Sequence, residues 1–305
     1  MQDNSKQQCN TELTYSPFQG NGFGDFIYTI SRIFKRCEYL YLKEDKYYTI
    51  LIKVPLSDIP HVKRVVNLLQ PCTYGKLNII SLSKEENIKW KNQRYNYVTN
   101  NIYDNDVIIP PNHDFADIFG THSFENIDYW PSKYQWKGDL NYIALHAYTN
   151  HKPGNKFKIL YDPDFVYISN LGLSLGLPVV PLLQPRYNNG LGISTNLSFT
   201  PDEHRMKVSK LLNYNYNLLQ RCKFAFTSES GISHLGMTIG VPLVVYWDEN
   251  RRKEEAEIPF MYGRNPVADW GKYKLCEAIT SYKNFEEDAK EAFTNILRKI
   301  EEINE

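Results

Sequence analysis

The chain has 305 residues and a formal net charge of zero, with 35 basic and 35 acidic side chains. Hydrophobic residues make up 42% of it, which indicates a globular rather than a disordered protein. The length suits two domains of about 150 residues better than one core. Proteins that bind duplexes normally carry a basic surface, so the neutral charge disfavours a nucleic acid partner.

The cysteines and the apolar stretches bear on the cellular compartment. The five cysteines include no Cys-x-x-Cys pair, and their odd number argues against a disulfide framework or a zinc site. We expect reduced thiols in a cytoplasmic protein. The N-terminal residues are polar, so no signal peptide is predicted, and no apolar stretch reaches the about 18 residues of a membrane-spanning helix. Peripheral contact with a membrane is left open.

The first part of the chain alternates between strand-like and helix-like segments. A strand at 11–16 and a glycine-rich loop precede a helix from Asp25 to about Lys35, which has one apolar face. That face contains Phe26, Ile27, Ile30, Ile33 and Phe34. The next predicted elements are a strand at 47–54, a helix at 61–69, a strand at 77–82, a helix at 84–97 and a strand at 107–109. Such alternation predicts a parallel sheet with helices on its faces.

Residues 110–140 break this pattern, because they are rich in proline, aromatic and acidic residues and show little periodicity. We interpret them as a loop and an interdomain linker, with the domain boundary near residue 135. Their acidic and histidine side chains follow no recognised metal-ligand spacing, so no metal site is predicted. Trp130 and Trp136 are expected either to stack on a sugar or base or to belong to the core.

A second alternation follows the linker and predicts a second parallel sheet with helices on its faces. Its strands are expected at 142–146, 179–183, 224–227 and 243–246, and its helices at 165–175, 202–220 and 232–239. Residues 272–305 are predicted to form one or two amphipathic helices.

The most informative segment covers residues 224–246 and reads FAFTSESGISHLGMTIGVPLVVY. It predicts a buried strand, a turn of small polar residues, a helix and another buried strand. The first N–H groups of a helix lack partners and, with the positive end of the helix dipole, form an anion site. Gly231 permits close approach of a phosphate, and Ser230 and Ser233 add hydroxyl donors. The alternative is an ordinary turn in which Ser228 or Ser230 caps the helix.

This segment resembles the C-terminal hallmark of the bacterial heptosyltransferase family, glycosyltransferase family 9, which has the GT-B fold. The matching positions are Glu229, Ser230, Gly231, His234, Leu235, Gly240 and Pro242. The sequence departs from the family in having Glu229 where aspartate is usual, and Gly236 and Met237 where alanines are usual. The resemblance implies an α/β protein of two Rossmann-like domains facing a cleft. Residues 1–135 then form the acceptor side and residues 136–305, with the C-terminal helices, the side that binds the nucleotide sugar.

The resemblance also implies which residues bind the donor diphosphate. At the start of the helix these are Ser228, Glu229, Ser230, Gly231, Ser233 and His234. For His234 a phosphate contact and a structural role both remain open. In the loop after the first strand of the second domain they are Thr149, Lys152 and Lys156, unless that loop is simply solvated. A lysine there neutralises charge on the leaving group, so no metal is required.

The N-terminal loop, Gln19-Gly-Asn-Gly-Phe-Gly-Asp25, resembles the first loop of the same family. The resemblance implies that Asp25 is the general base and that Gly22 and Gly24 leave room for substrate. An inverting transfer needs a carboxylate that takes the proton of the attacking hydroxyl. The alternative is that Asp25 only caps the helix.

The expected function is therefore an inverting glycosyltransferase of the hexosyl or heptosyl type. It would use a nucleotide-diphosphate sugar as substrate, no cofactor, and a hydroxyl acceptor on a glycan of the lipopolysaccharide or capsule type. Three alternatives stay open: a catalytically silent sugar- or nucleotide-binding protein, a sugar-nucleotide epimerase, and a viral glycosyltransferase that acts on modified DNA bases.

Overall fold

A computed structural model describes residues 8–15, 23–44, 47–56, 59–86, 88, 129–146, 160–182, 213–248 and 273–305. These residues belong to two compact units, which divide between Lys133 and Tyr134. Each unit contains a parallel sheet, as the alternation of strands and helices predicts.

The first unit has a three-stranded parallel sheet in the order β1-β2-β3. Its elements are β1 (Gln8–Tyr15), α1 (Phe23–Glu44), β2 (Tyr47–Val54), α2 (Ile59–Leu68) and β3 (Gly75–Ser81). The predicted first helix is confirmed but longer, because its apolar spacing continues to Cys37, which is buried. Asp25 is the third residue of α1.

The core of the first unit is built on the apolar face of α1. All five residues predicted for that face are buried. Phe34 meets Trp130 edge-on, with the ring centroids 5.4 Å apart. Trp130 is buried as well, and its indole N–H donates to the carbonyl of Gln70 at 2.9 Å. Trp130 is thus a core residue with a satisfied polar atom.

The second unit has a five-stranded parallel sheet in the order β5-β4-β6-β7-β8. Its elements are β4 (Ile143–His146), α3 (Asp162–Ser174), β5 (Val179–Pro181), α4 (residues 213–221), β6 (Phe224–Ser228), α5 (Gly231–Ile239), β7 (Leu243–Tyr246), β8 (Cys276–Ile279) and α6 (Phe285–Asn304). The prediction that 272–305 is only helical was wrong, because Cys276–Ile279 pairs with β7 as the edge strand. Its four residues are too few for a clear alternation, so the pairing partner decides their conformation.

Helices cover both faces of the second sheet. On β7, Leu243 and Tyr246 are three residues apart and therefore point to opposite faces. A Cβ atom on Gly236 of α5 would lie 2.8 Å from Cδ2 of Leu243, so α5 covers the first face closely. The ring of Tyr246 meets Phe285 of α6 with centroids 5.6 Å apart, so α6 covers the second. A side chain at position 236 would therefore require Leu243 to shift.

The segment that enters the second unit is anchored, although it has no regular structure. The backbone N–H of Trp136 donates to the carbonyl oxygen of Ile239 at 2.9 Å. Its indole N–H donates to the carbonyl oxygen of Cys222, also at 2.9 Å. Arg221 and Asp139 form an ion pair at 3.0 Å. Trp136 also packs against the hydrophobic core of this unit, which places its ring in a structural role.

Candidate functional site

The turn between β6 and α5 is closed by two serines. Ser230 is the N-cap of α5, and its Oγ accepts a hydrogen bond from the N–H of Ile232 at 3.2 Å. In return, Ser233 Oγ accepts from the N–H of Ser230 at 3.1 Å. The pattern is a capping box with serine in the place of the usual glutamate. It confirms the capping role considered for Ser230.

This capping leaves the N–H of the half-buried first helical residue, Gly231, as the remaining donor of the turn. Among the residues described for this chain, its N–H has no hydrogen-bond acceptor. Positive φ occurs at Gly138, Gly176 and Gly240 of the described glycines, so Gly231 needs no special backbone conformation. Its N–H lies at the positive end of α5, where a phosphate oxygen would be favoured.

His146 approaches the same turn from β4. It is the last residue of that strand and is 6% exposed, and its Nδ1 atom lies 3.3 Å from Ser230 Oγ. Burial lowers the pKa of His146 to about 4, so the ring is neutral at pH 7. Ser230 Oγ already accepts from Ile232, so its own O–H can donate to Nδ1, with the imidazole proton on Nε2.

The sheet order explains why these groups meet. From β4 the chain goes to β5 on one side, and it later returns to β6 on the other side of β4. In open parallel sheets, ligands bind at the carboxyl ends of strands where the order reverses in this way. His146 ends β4 and is paired with Thr227 of β6, directly before the turn at Ser230. His146 was not predicted as a site residue from the sequence, although its position at the end of a predicted strand before a polar loop was a usable signal.

Glu229 and His234 form a second contact across the turn. His234 Nε2 lies 3.8 Å from Glu229 Oε1, and both side chains are largely buried. The backbone N–H of Glu229 donates a hydrogen bond to the carbonyl oxygen of Tyr246 at 3.0 Å. The pair brings the acidic position of the sequence match next to the helix histidine.

Ser228 lies at the end of β6 and is fully buried. Within the described part of the chain, its hydroxyl and that of Thr227 have no hydrogen-bond partner. Strand alternation puts Ser228 on the same face as Phe226, which contacts Phe285 of α6. The Ser228 side chain therefore lies on the face of the sheet opposite to α5.

Several predicted site residues lie outside the described ranges. They are Gly22, Thr149, Lys152 and Lys156. Gly24 is buried in the first turn of α1, next to Asp25. The described ranges contain no cluster of side chains that could hold a metal ion. They also contain no helix long and apolar enough to cross a membrane.

The architecture defines the class of protein: two Rossmann-like α/β units of the GT-B type. The chain is similar to the crystal structure of a family 9 glycosyl transferase from Veillonella parvula, with a TM-score of 0.51 and 11% sequence identity. That likeness covers 96% of this chain and 99% of the other. It confirms the fold and the structural resemblance to family 9 that the sequence motifs predict.

A second similar structure is the dodecameric iron-containing heptosyltransferase TibC in complex with ADP-D-beta-D-heptose. It has a TM-score of 0.46 and 11% identity, and the likeness covers 98% of this chain and 78% of TibC. No family model matches the sequence, and no curated protein sequence matches it significantly.

Proposed function

We propose that this protein is a glycosyltransferase that moves a sugar from a nucleotide-diphosphate sugar to a hydroxyl acceptor. The observation that carries the proposal is the start of α5. It lies at the carboxyl end of β6, beside the point where the strand order reverses, in a chain with the GT-B fold. The N–H of Gly231, which has no acceptor within the described ranges, and the positive end of a helix are suitable contacts for a diphosphate.

The donor half of the reaction is assigned to the turn and its neighbours. Gly231 N–H contacts a phosphate oxygen, while the Ser230–His146 contact and the capping box hold the turn in place. Lys152 or Lys156, with Thr149, approaches the diphosphate from the loop after β4. These contacts stabilise the negative charge that develops on the leaving nucleoside diphosphate, so the transfer needs no metal.

The acceptor half is assigned to Asp25 in the first turn of α1. The acceptor oxygen forms a bond to the anomeric carbon as the bond from that carbon to the diphosphate breaks. The proton of the acceptor hydroxyl passes to the carboxylate of Asp25. Such a single displacement inverts the configuration of the sugar. The proposed acceptor is a glycan hydroxyl, which rests on the sequence resemblance. The proposed compartment is the cytoplasm, in keeping with the four described cysteines, which are free thiols.

The start of α5 is tested with two variants that match in size and differ in charge, Gly231→Asp and Gly231→Asn. Isothermal titration calorimetry against a panel of nucleotide-diphosphate sugars measures the affinity of each protein. The aspartate is expected to weaken donor binding at least about tenfold, or roughly 1.4 kcal/mol, whereas asparagine should retain more of it. An acid in the first turn of a helix stabilises the fold by about 0.3–1 kcal/mol, so unfolding would not explain the loss.

Four outcomes would contradict parts of this proposal. If no nucleotide sugar binds the unmodified protein, the glycosyltransferase assignment fails. Equal affinities of the two Gly231 variants would show that the phosphate lies elsewhere. If a donor binds but neither its hydrolysis nor its transfer is detected by NMR, the protein is a binding protein, and an epimerised sugar in the same spectra would instead indicate an epimerase.

A further inference from the structure

Two cysteines of the first unit lie side by side. Cys37 is on the buried face of α1, and Cys72 is on the irregular segment that precedes β3. The Cys72 side chain lies against the turn of α1 that contains Cys37. Neither forms a disulfide in this structure.

Two further contacts bracket this pair along α1. About one turn before Cys37, the carbonyl oxygen of Phe34 lies 4.0 Å from Cys72 Sγ. About one turn after it, the ring of Tyr41 lies 5.3 Å from that of Tyr74. The helix therefore runs alongside residues 72–74, which places Cys72 next to the turn of α1 that contains Cys37.

The two thiols differ in exposure and in acidity. Cys37 is 3% exposed, whereas Cys72 is half-buried. The hydrogen bond from Cys37 lowers the pKa of Cys72, and the backbone N–H groups of Tyr74 and Gly75 act in the same direction. The same hydrogen bond and burial raise the pKa of Cys37. A more exposed thiol with thiolate character next to a buried one is the arrangement of an attacking and a resolving cysteine.

We propose that Cys37 and Cys72 form a reversible disulfide by exchange with a low-molecular-weight disulfide of the glutathione type. The Cys72 thiolate attacks one sulfur of the oxidised compound, which forms a mixed disulfide and releases one thiolate. In the mixed disulfide Cys72 is no longer a thiolate, which removes the largest cause of the raised pKa of Cys37. Cys37 then loses its proton to the released thiolate and attacks Cys72 Sγ, which releases the second thiolate. Two protein thiols are oxidised to one disulfide, and one small disulfide is reduced to two thiols.

The remaining described cysteines provide internal controls. Burial raises the pKa of Cys222 and of Cys276 to about 12, so neither thiol ionises readily. Both belong to the second unit. We therefore expect the first exchange with glutathione at Cys72 among the four described thiols. The fifth cysteine, Cys9, is removed in all test proteins by Cys9→Ser.

The experiment incubates the full-length chain in buffers with increasing ratios of oxidised to reduced glutathione. Free thiols are then alkylated, and intact mass and peptide mapping locate the modification. The expected product is a loss of two hydrogen atoms with one cross-linked peptide pair, Cys37 with Cys72, which excess dithiothreitol reverses. The cross-link closes a loop in the unfolded chain, so the melting temperature should rise in the oxidised protein.

Two variants test the order of attack. Cys37→Ser should accumulate glutathione on Cys72, because no resolving thiol is present, while Cys72→Ser should leave Cys37 unmodified. Circular dichroism verifies that both are folded, and the peptide map of the parent protein decides the question if either is not. The proposal is overturned if the parent forms no Cys37–Cys72 peptide pair over the whole range of glutathione ratios, or if Cys37 reacts as fast as Cys72.

Discussion

Ser230 Oγ lies 3.3 Å from Nδ1 of His146, so the residue that caps α5 also contacts the end of β4. The two positions are 84 residues apart in the chain. Because burial keeps the imidazole neutral, this is a contact between two uncharged groups at pH 7. The contact joins the start of α5 to the neighbouring strand.

The contribution of the cap is tested with Ser230→Ala. This change should lower the free energy of unfolding by about 0.5–2 kcal/mol, because Ile232 N–H loses its acceptor. Urea denaturation measures it, and Ser230→Thr, which keeps a hydroxyl, is the matched control. An alanine variant as stable as the unmodified protein would show that the cap adds nothing.

Protonation of His146 should make stability depend on pH. The pKa is about 4 in the folded protein, against 6.5 for an ordinary histidine. Between these values the unfolded chain binds more protons than the folded one, so stability falls as the pH is lowered from about 6.5 towards 4. The full effect has an upper limit of about 3 kcal/mol.

Urea midpoints from pH 7 to pH 4.5 measure this dependence in the unmodified protein and in His146→Gln. Glutamine does not titrate, so the variant should have the flatter profile, while the carboxylates affect both proteins alike. Parallel profiles would mean that the burial of His146 has no such consequence.

The role of Asp25 is tested with Asp25→Asn. If Asp25 is the base, turnover of the donor should fall by about 10²–10⁴-fold and donor affinity should hardly change. A carboxylate that only interacts with the dipole of α1 would instead contribute about 0.3–1 kcal/mol to stability. Glu38→Gln, on the same helix, is the control for the loss of one negative charge. Steady-state kinetics measure turnover and calorimetry measures donor affinity, which together separate the two roles. A folded Asp25→Asn protein with normal turnover would remove the catalytic assignment.

The approach of α5 to β7 is tested with Gly236→Ala. The new methyl group would come within 2.8 Å of Leu243 Cδ2, so we expect a loss of about 1–3 kcal/mol from overpacking. Leu243→Val removes the atoms that lie nearest, and in that background the same change should cost less. A double-mutant cycle from urea denaturation gives the coupling, and simple additivity would contradict the predicted clash.

Much of the fold could be predicted from the sequence, because the patterns that specify it are local. The bounds of β2 and β7 were predicted correctly, and so was the buried face of α1. Apolar spacing and turn residues act over a few positions, which a single sequence displays directly. The turn at Ser230 was recognised for the same reason, since an N-cap serine followed by glycine at a helix start is a local signal.

Other features depend on the pairing of distant segments, and only the tertiary structure decided them. Cys276–Ile279 is a strand because it pairs with β7. Trp130 is a core residue because Phe34 packs against it. The meeting of His146 with Ser230 follows from the neighbouring positions of β4 and β6 in the sheet. Strand order and register are properties of the assembled sheet, so the contacts that they create have no signature in the spacing of residues along the chain.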